Sequence, residues 1–105
     1  SSEPSGAEVL YNDIVLNNGF PSKRLAQICL EELVNVTHKV NRGLVTGEDI
    51  VIIKKANMPV ALLEVGFMSN PTEMEFLLQE SNKKDIAKGI YKSILKVYEE
   101  FEKYK

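Results

Sequence analysis

Residues 58–73 read Met58-Pro59-Val60-Ala61-Leu62-Leu63-Glu64-Val65-Gly66-Phe67-Met68-Ser69-Asn70-Pro71-Thr72-Glu73. From Pro59 to Val65 the run is apolar without alternation, and Glu64 alone interrupts it. Strands with both faces covered read this way, and such sheets belong to α/β proteins. The end of the stretch predicts a helix start. Asn70 is placed to cap, Pro71 to take the first helical position, and Glu73 to reach back as in a capping box.

Ile50-Val51-Ile52-Ile53 is β-branched and continuous, so it reads as a second buried strand, and Ala7–Tyr11 reads as a third. Between them Pro21-Ser22 predicts a helix start with Ser22 as N-cap. Leu25, Ile28, Cys29, Leu33 and Val36 recur at steps of three and four and give that helix one apolar face, with Glu31 and Glu32 pointing elsewhere. It fades near His38-Lys39, whose positive character suits a C-terminus. Asn17-Asn18-Gly19, Asn41-Arg42-Gly43 and Thr46-Gly47-Glu48 are turn chemistry. After Pro71 a short helix runs to about Gln79. Another runs from Ser81-Asn82 toward Tyr104, with Ile86, Ala87, Ile90, Ile94, Val97, Tyr98 and Phe101 as its face. The order strand, helix, strand, strand, helix, helix predicts a three-layer α/β/α protein with a mixed sheet, and three strands are few for one.

Composition narrows the function classes. The 105 residues carry a formal net charge of −2, so the chain has no general attraction for phosphate backbones. With 44% hydrophobic and 27% charged residues it is too apolar for disorder. The single cysteine, Cys29, excludes an intrachain disulfide and any multi-cysteine metal site. No run approaches the roughly 18 apolar residues of a membrane span. The chain begins at Ser1 rather than Met, which implies residues upstream.

Glu64 is the anomaly among the side chains. A carboxylate in low-dielectric surroundings costs several kcal/mol unless paired, and its pKa usually rises. Sites in open α/β sheets gather at the carboxyl ends of strands, and Gly66 allows a sharp turn or close approach of a ligand. An exposed sheet edge or a structural ion pair would equally account for Glu64. His38 and Cys29 fall on opposite faces of one helix, roughly 13 Å apart along its axis, and cannot share a metal or form a catalytic pair. Ser22, Ser69 and Ser81 stand where helix caps are expected. Lys83-Lys84 and the basic residues near Lys103 read as solvated faces.

Residues 58–73 resemble the zinc-dependent N-acetylmuramoyl-L-alanine amidases of bacteria and their phages, whose strand reads M-P-A-x-L-x-E-x-G-F-x-S-N-P-x-E. The flanks agree. Ser5-Gly6-Ala7-Glu8-Val9-Leu10-Tyr11 resembles the family's S-G-x-E-x-x-Y stretch, and Leu25-Ala26 the start of its next helix. Asn41-Arg42-Gly43-Leu44 resembles its x-R-G-hydrophobic turn, and Ile86-Ala87-Lys88-Gly89-Ile90 its final helix. The resemblance implies that residues 1–105 are the C-terminal part of an amidase catalytic domain. It implies one zinc ion in the complete domain, its ligands (two His and a Glu) lying upstream of Ser1, and Glu64 as the catalytic carboxylate. The substrate it implies is peptidoglycan, cut at the amide between N-acetylmuramic acid and L-alanine. It places the protein at the cell wall, as a secreted enzyme or a phage lysin, and gives the chain the missing N-terminal half or a second copy as partner. Two other readings stand beside it: a binding or regulatory half-domain derived from an amidase, and an unrelated α/β module.

Overall fold

A computed structural model describes residues 4–13 and 19–103. The expected turn at Asn17-Asn18-Gly19 and the end at Tyr104 fall partly outside these residues. Seven elements follow in order: β1 (Ala7–Tyr11), α1 (Ser22–Thr37), β2 (Asn41–Thr46), α2 (Val51–Lys54), β3 (Ala61–Glu64), α3 (Pro71–Leu78) and α4 (Glu80–Glu102). The strands make one mixed sheet in the order β2-β1-β3. β1 runs parallel to β2 and antiparallel to β3. The expected α/β class and mixed sheet are therefore present.

β1 alternates, with Ala7, Val9 and Tyr11 buried and Glu8 and Leu10 on the other face. The buried set meets Ala26, Cys29, Leu30 and Leu33 of α1, and Leu44, Ala61, Leu63 and Val65 pack around them. This is the face that α1 covers. The opposite face carries Glu8, Leu10, Val45, Leu62 and Glu64 by register, and Val45 and Leu62 remain about 40% exposed.

Two expectations about the middle of the chain fail together. Ile50 to Ile53 is not a strand. Val51–Lys54 is a helical turn, with Lys54 N–H donating to the Ile50 carbonyl and Lys55 N–H to that of Val51. Only Ile53 is buried, while Ile52 is 78% exposed. Both seats beside β1 are already filled, one by β3 and the other by Asn41–Thr46, so the β-branched run takes no place in the centre of the sheet. The partner strand β2 contains the residues read as a turn at 41–43. Its turn chemistry reappears as a bulge: three residues of β2 span the two-residue step from Ala7 to Val9, and Gly43 takes φ 90°.

The helices end as their chemistry dictates, with exceptions. α1 closes at His38 in the left-handed region, its N–H donating to the Val34 carbonyl at 2.8 Å. Its N-cap is Pro21. Ser22 lies inside the first turn, where its Oγ accepts the Val60 N–H at 2.9 Å and ties α1 to the entry of β3. Ser69 precedes the Asn70 cap, and Ser81 sits within α4, so none of the three serines caps a helix. Glu32 does not point away from the core. It is buried and pairs with Lys96 of α4.

α4 lies against α1 through its smallest side chains. Gly89 and Ser93 are the buried residues, whereas Ile94 and Tyr98 are more than 60% exposed. Of the apolar face expected for this helix, Ile86 packs against the core and Phe101 meets Phe20, whereas Ile94 and Tyr98 stand off the contact. A Cβ on Gly89 would come within 2.8 Å of Val36 Cγ2, so only glycine lets the two helices approach this closely. Among the described residues no helix is long and apolar enough to cross a membrane.

Candidate active site

Glu64 is the last residue of β3, and its register partner across the antiparallel pair is Glu8 of β1. Desolvation, the Glu8 charge and a side-chain hydrogen bond with Glu8 hold the Glu64 carboxyl above its ordinary pKa, while Arg42 opposes them. The sequence reading isolated Glu64 but gave Glu8 and Arg42 no role. Arg42 Nε stands 3.8 Å from Glu8 Oε2, and its guanidinium lies 4.9 Å from the centre of the Phe67 ring. Both were hidden because strand pairing brings them in. The one local signal was the alternation Ala7-Glu8-Val9, which sets Glu8 on the face opposite the core.

The loop after Glu64 is anchored from behind. Asn70 caps α3 as expected, its Oδ1 accepting the N–H groups of Thr72 and Glu73 at 3.0 and 3.3 Å. Asn70 Nδ2 donates to the Pro4 carbonyl at 3.2 Å. Glu73 does not complete a capping box. It is buried and accepts the Gly6 N–H at 2.7 Å through Oε1, and Lys39 Nζ pairs with its other oxygen. That ammonium also sits 4.6 Å from the centre of the Phe76 ring. Gly6 has φ 112°, and a Cβ there would lie 2.5 Å from the Val40 carbonyl oxygen, so the position demands glycine. The start of β1, which carries Glu8, and the helix after β3, which follows Glu64, are therefore locked to each other through one buried carboxylate. Gly66 has no left-handed backbone. Its Cα packs where a Cβ would meet Leu77 and the Lys39 ammonium.

The remaining chemistry-bearing residues stay apart. Cys29 is buried, and desolvation pushes its thiol up, which makes it inert as a nucleophile. His38 is an exposed helix end. Among the described residues no group of three or more His, Cys, Asp or Glu side chains could hold a metal ion. These residues do not make a zinc site. What they offer is one carboxylate with raised proton affinity at a strand end, faced by a second carboxylate that a guanidinium approaches.

A family model described as N-acetylmuramoyl-L-alanine amidase matches residues 1–96. The germination-specific N-acetylmuramoyl-L-alanine amidase of Bacillus subtilis is 33% identical over 100 residues, which cover 95% of this chain and 40% of that protein. Among solved structures, the CwlD amidase from Clostridioides difficile in complex with the GerS lipoprotein is 33% identical with a TM-score of 0.80, over 94% of this chain and 49% of that one. The catalytic domain of CwlV from Bacillus (Paenibacillus) polymyxa var. colistinus is 29% identical with a TM-score of 0.80, over 94% and 51%. The chain thus spans about half the length of the solved relatives, and 40% of the Bacillus subtilis protein.

Proposed function

The chain belongs to the N-acetylmuramoyl-L-alanine amidase family, and from that premise we propose that residues 1–105 are the C-terminal part of a catalytic domain that hydrolyses peptidoglycan. The bond is the amide joining the lactyl group of N-acetylmuramic acid to L-alanine of the stem peptide. Glu64 is its general base and acid. The carboxylate takes a proton from the attacking water and returns it to the departing L-alanine nitrogen. What supports this role is a carboxyl at a strand end whose proton affinity is raised by partial burial and by Glu8, because proton transfer at neutral pH favours a group whose pKa approaches the working pH.

Zinc belongs to the proposal as the cofactor of the complete domain, its ligands supplied by residues other than those described. The remainder of the domain is the partner we assign to β3 and to the apolar groove of about 390 Å³ between α4, α1 and the sheet, lined by Leu25, Ala61, Leu63, Ile94 and Tyr98 among others. The place of action is the cell wall, outside the membrane.

The test is Glu64→Gln in the protein carrying the complete domain. Glutamine keeps the size and the hydrogen bonding but cannot accept the proton. Turnover on peptidoglycan falls by about 10²–10⁴ or more, with zinc content maintained and no loss of melting temperature. Loss of zinc along with activity would make Glu64 a ligand instead, and unchanged turnover would remove it from the mechanism.

A further inference from the structure

The sheet breaks a pairing rule where β3 ends. Like charges directly opposite one another on antiparallel strands disfavour pairing, yet Glu8 faces Glu64. Departures of this kind from local consistency concentrate at functional sites. A second irregularity converges on the same place. The bulge in β2 is held by the Gly43 N–H donating to Asn41 Oδ1 at 2.8 Å. Bulges re-aim side chains, and the side chain here is Arg42, which reaches Glu8 and Phe67.

We propose that Glu8 is a positioning residue for Glu64: set opposite Glu64 by the β1–β3 register and paired with the bulge-borne Arg42, it holds the abstracted proton on Glu64 until the leaving amine takes it. This rests on Glu64 being the general base. Two carboxyls this close disfavour the doubly ionised state, so the pair readily holds one proton. Arg42 sets its positive charge on the Glu8 side of the pair, its Nε 3.8 Å from Glu8 Oε2. One O–H bond of water breaks as its proton joins the Glu64 carboxylate. The water oxygen bonds to the amide carbonyl carbon, the C–N bond then breaks as nitrogen takes that proton, and Glu64 returns to carboxylate while the lactyl group leaves as a carboxylic acid. The charged groups acting on Glu64 are Glu8 of β1 and Arg42 of β2. Lys39 and Glu73, beyond Gly66, are engaged with each other.

The experiment is the pH dependence of kcat/KM for the complete protein as wild type, Glu8→Gln, Glu8→Asp and Arg42→Met. Removing the Glu8 charge moves the acid limb of the profile to lower pH, and Glu8→Asp returns it toward wild type. Arg42→Met, which leaves the Glu8 charge uncompensated, moves the limb the opposite way. A merely structural Glu8 would lower melting temperature and turnover without moving the limb. An acid limb of Glu8→Gln superimposed on wild type, with Glu64→Gln still inactive, overturns this inference and spares the assignment of Glu64. Full turnover by Glu64→Gln overturns both.

Discussion

Glu64 joins a stability argument to a functional one. Its folded-state pKa is raised, so between the ordinary carboxylate value and the raised one the folded protein binds more protons than the unfolded chain. Stability therefore falls as pH rises through that window. Above it both carboxylates of the Glu8–Glu64 pair are charged in the folded state and the cross-strand repulsion is fully present. Glu64→Gln removes it. The variant should be more stable than wild type at pH 7 by about 0.2–1 kcal/mol, the range of a cross-strand pair. Below the ordinary carboxylate pKa, near pH 3.5, the gain should vanish. Denaturant midpoints at the two pH values check this. A variant less stable at pH 7 would mean that Glu64 serves a structural ion pair. The carboxylate itself was legible in the sequence because it broke an apolar run. Its neighbours were not, since Glu8 lies 56 residues away in the chain and meets it only through strand register.

The elements legible in the sequence are those whose signals are local. α3 announced itself through Asn70-Pro71, and α1 through the spacing of Leu25, Ile28, Cys29 and Leu33. β1 and β3 appeared close to their expected limits. What failed was decided at a distance. Ile50 to Ile53 has the composition of a strand but no free seat beside β1, and Asn41-Arg42-Gly43 has the composition of a turn but supplies the bulge of β2. The packing of α4 was legible only in part: Ile86 meets the core as its spacing predicts, but the buried centre of the contact with α1 is Gly89 and Ser93, which a search for apolar spacing passes over. Gly89→Ala tests that contact. Helix propensity alone favours alanine by about 1 kcal/mol. The added Cβ would meet Val36 Cγ2 at 2.8 Å and the Glu32 carbonyl oxygen at 3.3 Å, and overpacking typically costs about 1–3 kcal/mol. We expect a net loss of stability in chemical denaturation. A net gain would show that the helices stand farther apart.

At the scale of the molecule, the chain is more extended than a compact domain of its length. Its radius of gyration is 14.4 Å with extents of 43 × 29 × 17 Å, against about 13 Å from the usual size scaling. Among the apolar side chains that stay on the surface are Ile94 and Tyr98 along the groove of α4, and Val45 and Leu62 on the sheet face that also bears Glu8 and Glu64. Exposed apolar surface next to strand edges invites further packing, which fits a chain spanning about half of its solved relatives. In the proposed function, this half brings the catalytic carboxylate to a domain that cuts one particular amide. The most direct measurement is the chemistry of the products when peptidoglycan is incubated with the 105-residue chain alone and with the protein carrying the whole domain. Mass spectrometry should find stem peptides with a free N-terminal L-alanine beside intact glycan strands, released by the whole-domain protein and not by the chain alone. New reducing sugar ends, cleavage elsewhere in the peptide, or full release by the isolated chain would contradict the account.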